Sequence, residues 1–163
     1  MNFLDDAKYC AAIVHATNKY NKYGINVAEE YDFINTLEEE IEYNVTKSET
    51  DEIVLTNRVF FFRHLIIKMC RDELGTDANI ELFRLIKSIY TTLGELIIRC
   101  HNEDSTRYDY MDKLAFQKNQ VEFMIDNSKE NKRVLLNLMY FEIEYIIAKY
   151  CKQEFIEGED LNN

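Results

Sequence analysis

Three histidines (His15, His64, His101) and four cysteines (Cys10, Cys70, Cys100, Cys151) are the first residues with which this chain could do chemistry. A zinc site needs ligands at short repeated spacings, such as a Cys-x-x-Cys pair or His-Glu-x-x-His on one helix face. None of these residues forms such a set. Cys100 and His101 are neighbours and so point in different directions; they read as a buried thiol and a cation at a helix C-terminus. Cysteines this far apart fit neither a disulfide framework nor a zinc knuckle, and are expected as buried thiols in a reducing compartment. Glu38, Glu39, Glu40 and Glu42 lack the inward Glu-x-x-His pairs of a di-iron bundle and read as a solvated face. Gly-rich phosphate loops and Gly-x-Ser-x-Gly elbows are missing as well. The expectation is a protein that is not an enzyme and uses no metal or cofactor.

The elements that would position these residues are helices. Proline is absent and glycine occurs four times in 163 residues, so the turn chemistry that sheets need every ten residues or so cannot be supplied. With 47% apolar residues the chain can build one proper core. An all-α, single-domain bundle over residues 1–156 is expected, with an acidic, disordered tail at 157–163. The net charge is −11. Nucleic-acid binding needs clustered Lys and Arg, and an anionic membrane repels such a chain, so neither partner is expected. The N-terminus is acidic at once and does not resemble a signal peptide. Val134 to Cys151 is apolar but interrupted by Glu142, Glu144 and Lys149, so no membrane insertion is expected. A cytosolic protein follows, with a protein or a small molecule as partner.

Periodicity places a first helix at about 4–23, with Asp5 and Asp6 near its positive end and Gly24 as a stop. A second helix spans about 28–45, with Tyr31, Ile34, Leu37, Ile41 and Val45 on one face. A third spans about 52–74 and could break near Thr56–Asn57, with Gly75 as its stop and Asp77 as the cap of the next helix. Asp77 to Cys100 carries apolar residues on most faces, which predicts the buried centre of a bundle. Gly94 inside it suggests close approach of a crossing helix. Further helices are expected at about 108–126, ending at Asn127–Ser128, and at about 129–155. Phe60, Phe61 and Phe62 surround one turn and cannot all face the same core.

The order of these elements resembles that of the B-cell lymphoma-2 (Bcl-2) family of apoptosis regulators. Two segments carry the resemblance. Met69-Cys70-Arg71-Asp72-Glu73-Leu74-Gly75-Thr76-Asp77-Ala78-Asn79-Ile80 sits where the family has Leu-Phe-Arg-Asp-Gly followed by Asn-Trp-Gly-Arg. Phe123-Met124-Ile125-Asp126-Asn127-Ser128-Lys129-Glu130 is similar to the family's Trp-Ile-x-x-Asn-Gly-Gly-Trp turn. The Asn-Trp-Gly-Arg signature itself is replaced by Ala78-Asn79-Ile80-Glu81, and both tryptophans of the turn are gone. Leu37-x-x-x-Ile41-Glu42 faintly echoes the family's Leu-x-x-x-Gly-Asp. Divergence of this kind is usual among virus-encoded members.

The resemblance implies a central hydrophobic hairpin at about 78–101 and 108–126. It also implies an anti-apoptotic protein that sequesters the amphipathic death-motif helix of a pro-apoptotic partner in a surface groove. Leu65 and Met69 match groove positions before Arg-Asp. Phe61 lies one turn before Leu65, and Ile41 and Val45 would form the opposite wall. Arg84 is the nearest substitute for the missing signature arginine, which in the family meets an aspartate of the ligand. That substitution leaves a second reading open, a protein of the same fold that inhibits innate-immune signalling through an outer face. An unrelated helical regulatory subunit is the third. Self-association also stays open.

Overall fold

A computed structural model describes the backbone of residues 2–23, 49–70 and 80–151, and the side chains of 2–18, 51–68, 81–129 and 132–151. The described residues form five α-helices and a terminal π-helical turn, with no strand among them. These are α1 (Phe3–Tyr23), α2 (Glu49–Cys70), α3 (Ile80–His101), α4 (Arg107–Asp126) and α5 (Glu130–Ile146), followed by the π-turn Ile147–Cys151. The expected helix at 28–45, the junction at Gly75 and Asp77, and the acidic tail lie outside the described residues.

Helix α3 is the centre. Leu82, Phe83, Ile86, Ile89, Tyr90, Leu93, Leu96 and Ile97 are all buried, and α3 packs against α1, α4, α5 and the π-turn. Each such side chain contributes roughly 1.5–3 kcal/mol on leaving water. Helix α1 runs antiparallel to α3. Phe3 stacks on His101 with ring centroids 3.4 Å apart, and Cys10 lies beside Gly94. A Cβ at Gly94 would sit 3.6 Å from Cys10 Cβ, so the approach is close but still of ordinary van der Waals length.

The hairpin α3–α4 is present, but its arms differ. α4 buries one stripe, Met111, Leu114, Gln117 and Val121, and turns its other side to water. Arg99 and Asp104 organise the connection: Arg99 donates to Thr106 Oγ1 at 2.7 Å, and the Thr106 backbone N–H donates to Asp104 Oδ1 at 2.9 Å. Glu103 takes a left-handed φ of 53° there. The stop at Asn127 is as expected, its side chain donating to the Phe123 carbonyl at 2.8 Å.

Two expectations are corrected. Helix α2 continues through Thr56 and Asn57, because Leu55 and Arg58 on either side are buried and hold the turn in place. The last helix does not stay α-helical; at Ile147 it widens into the π-turn. A wider turn brings successive side chains closer in azimuth than the 100° of an α-helix, and Lys149 and Tyr150 both donate to Oδ2 of Asp6.

Candidate functional site

Asp6 on α1, Arg58 on α2 and Glu142 on α5 stand at positions where their helices otherwise carry core residues. Tyr9, Cys10 and Ile13 follow Asp6 inward, Val54 and Phe61 flank Arg58 at helical spacing, and Met139 and Ile146 flank Glu142. All three charged side chains are almost fully buried. Arg58 Nη2 donates to Asp6 Oδ1 at 2.8 Å and Nε donates to Glu142 Oε1 at 2.8 Å. Lys149 Nζ reaches Asp6 Oδ2 at 2.8 Å and also donates to Tyr145 Oη at 3.1 Å. Tyr150 donates a short hydrogen bond to the same Asp6 oxygen. The Arg58 guanidinium lies 4.8 Å from the Tyr9 ring centroid and 5.5 Å from that of Tyr145. Two cations thus meet two anions inside a wall of tyrosines.

The two carboxylates respond in opposite senses. Burial works to raise Asp6, but Arg58, Lys149 and Tyr150 together hold it below the usual carboxylate value. Burial dominates at Glu142 and pushes it up, although Arg58 opposes this. The partners account for the difference, since Asp6 accepts from three groups, Arg58, Lys149 and Tyr150, whereas Glu142 accepts from Arg58. Lys149 is raised because its bond to Asp6 outweighs partial burial. Each charged group here bonds another, and Asp6, Arg58 and Glu142 are closed off from solvent. Such a cluster acts as a clamp that fixes α1, α2, α5 and the π-turn relative to one another, with Lys149 at its solvent-facing edge.

The surface offers two apolar stripes. On α2, Ile53, Phe60 and Ile67 are 48%, 48% and 41% exposed and follow one another at intervals of seven residues, so they share a face. On α4, Phe116 and Phe123 are 65% and 70% exposed, again seven residues apart. The Phe60-Phe61-Phe62 run is thereby resolved: Phe61 and Phe62 enter the core and Phe60 faces out. A shallow cleft of about 400 Å³ at the α3–α4 joint is lined by Arg99, Thr106, Asp109, Tyr110 and Lys113. Arg99 is engaged there, lying 4.6 Å from the Tyr110 centroid and bonded to Thr106, although its buried Nε has no hydrogen-bond partner among the described residues; the cleft reads as part of the hairpin joint.

Of the residues expected to line a partner groove, the described residues place three: Phe61, Leu65 and Arg84. Phe61 and Leu65 are 1% and 0% exposed and belong to the core. Arg84 is exposed on the first turns of α3. The backbone of Met69 closes α2, but its side chain, and the whole of Ile41 and Val45, lie outside the described residues. Sequence reasoning missed the clamp. Its signal was present in the register: Glu142 falls three residues after Met139 and seven after Leu135, on the apolar stripe of α5, and Arg58 falls likewise on that of α2. A charge at a core phase predicts a buried partner, but phase alone does not say which.

Among the described residues, no His, Cys, Asp and Glu cluster could hold a metal ion, and no helix is long and apolar enough to cross a membrane. No family model, curated protein or solved structure matches the chain.

Proposed function

We propose that the protein is a Bcl-2-like, anti-apoptotic regulator that sequesters the amphipathic death-motif helix of a pro-apoptotic partner. The observation that carries this reading is the face of α2 bearing Ile53, Phe60 and Ile67. An amphipathic helix recognises a row of exposed apolar side chains at helical spacing by laying its own stripe along it. The α3–α4 hairpin with a buried first arm supports the family reading of the fold. On this reading the protein is not an enzyme, uses no cofactor and works in the cytosol, which is the host cytosol if the chain is viral. With Phe61 and Leu65 directed inward, the ligand would rest on the outer face of α2, and Arg84 would serve as a peripheral cation.

The test is fluorescence anisotropy with a panel of labelled death-motif peptides. Binding below ~1 μM to at least one peptide, lost in folded Phe60→Glu, is the expected result. Absence of binding at ~100 μM across the panel would overturn it.

A second reading is a protein of the same fold that inhibits an innate-immune adaptor through an outer face. It is favoured by the burial of Phe61 and Leu65 in the core, which leaves the expected inner wall of the groove occupied by the protein itself. Capture of such an adaptor by the wild type and not by Phe60→Glu, with no peptide bound, would select it.

A further inference from the structure

The outward side of α4 is a second surface, independent of the one on α2. Phe116 and Phe123 are the two most exposed large apolar side chains of the described residues, and neither packs against the core cluster. At 100° per residue they lie within about 20° of each other round the helix, roughly 10 Å apart along it. Asp109, Asp112 and Asp126 fall within about 70° of the line joining them. All three are exposed, and none makes an ion pair among the described residues. Within α4 the basic residue closest in azimuth to that line, Lys113, lies about 70° round the helix on the opposite flank to Asp126. Lys118 instead turns inward, its ammonium 5.5 Å from the Tyr140 centroid. Glu122, at the rim, is held by the Tyr140 hydroxyl at 2.7 Å.

The stripe adds little to the fold, because its rings touch water and its acids make no ion pair among the described residues. Exposed apolar anchors flanked by unpaired charge are what an association site of opposite charge requires. We propose that this face of α4 docks a basic amphipathic helix of a protein partner. Its apolar residues, one heptad apart, cover Phe116 and Phe123, and its Lys or Arg side chains pair with Asp109, Asp112 and Asp126. Charge selects this occupant over a second copy. An isologous contact would set the three aspartates against their own images in a chain of net charge −11.

The probe is a fluorescein-labelled 21-residue helix of designed sequence, with leucine at one heptad seam and lysine on both flanks; a matched peptide carries glutamate for lysine. Anisotropy is read at low and at physiological salt with the full-length protein. The basic peptide is expected to bind and the acidic one to bind at least ~10-fold more weakly. Phe116→Ser/Phe123→Ser should weaken the basic peptide by ~10-fold or more with an unchanged circular dichroism spectrum. Phe60→Ser on α2 should leave it unaltered, which separates this site from the proposed death-motif surface. Asp112→Asn/Asp126→Asn should weaken binding and flatten its salt dependence. Equal binding by the serine pair, or equal binding of both peptides, overturns the proposal. So does a concentration-dependent dimer in sedimentation that the serine pair abolishes, because the occupant is then a second copy.

Discussion

At one end of the bundle Asp6, Arg58 and Glu142 are carried inside, while along α4 Phe116 and Phe123 stand in water. Both regions invert the usual placement of side chains, and they do so for different reasons. The buried charges have partners at 2.8 Å from three different helices and the π-turn, so the only conformation that satisfies them is the assembled one. Leaving one unpaired in the interior is costly, which makes the cluster a device that specifies how the helices meet. Among the described residues the exposed phenylalanines do not pack against the core cluster. The first inversion is explained by the fold itself; the second is the face to which we assign a partner.

Substitutions should separate the two regions by the size of their effect on stability. Arg58→Ala strands two buried carboxylates and is expected to destabilise the protein by about 3–5 kcal/mol, a large part of a total of roughly 5–15 kcal/mol. Urea denaturation measures it. A midpoint unmoved by Arg58→Ala would mean the clamp contributes nothing. Replacing the set together, as Asp6→Leu/Arg58→Met/Glu142→Leu, should be near neutral or stabilising, since the desolvation cost disappears along with the attraction.

The two carboxylates of the clamp should also differ from one another. Asp6 is held below its usual value, so its contribution is fully present above the unfolded value of about 3.9 and is lost as pH falls through the lower folded value. Glu142 is held above its usual value, so its protonation on acidification favours the folded state. At neutral pH, Asp6→Asn should therefore cost more than Glu142→Gln. Only Asp6→Asn should flatten the loss of stability below about pH 4. Denaturation midpoints measured from pH 3 to 7 decide between this and two equivalent partners of Arg58.

Gly94→Ala probes the α1–α3 contact that delivers Asp6 to the clamp. The added methyl meets Cys10 Cβ at 3.6 Å, so the gain in helix propensity should prevail, at about 0.5–1 kcal/mol of stabilisation. A loss of stability would mean that α1 lies closer to α3 than described. The smallest effect is expected at the other region. Phe116→Ser and Phe123→Ser should each change stability by no more than about 0.5 kcal/mol. A larger loss would return those rings to the core and remove the contrast.

Much of the architecture was legible along the chain because burial imposes a 3.6-residue period on apolar side chains. That period located α1, α3 and α4 and the start of α5 within a few residues and marked α3 as central through its Ile86, Ile89 and Leu93. Local chemistry also ended α4 at Asn127. The run Phe60-Phe61-Phe62 showed that its three rings could not all face the same core, but not that Phe60 would be the one in water. The π-turn left no local signature, because it follows from Lys149 and Tyr150 converging on an aspartate more than 140 residues away.

What the sequence determined by itself is the all-helical class, the strong acidity and the presence of charges at core phases, since these depend only on composition and spacing. Which charges meet was decided by the tertiary structure. Asp6, Arg58 and Glu142 belong to separate helices, and their pairing depends on how α1, α2 and α5 cross. The same is true of the surface. Leu65 and Phe61 share a helical face with any groove wall one draws by phase, and only the tertiary packing of α2, against α5 and with Phe61 on Tyr90 of α3, turned that face inward and left Ile53, Phe60 and Ile67 outside. Periodicity fixes a residue's azimuth on its own helix; the azimuth becomes core or contact surface only when other helices take their places around it.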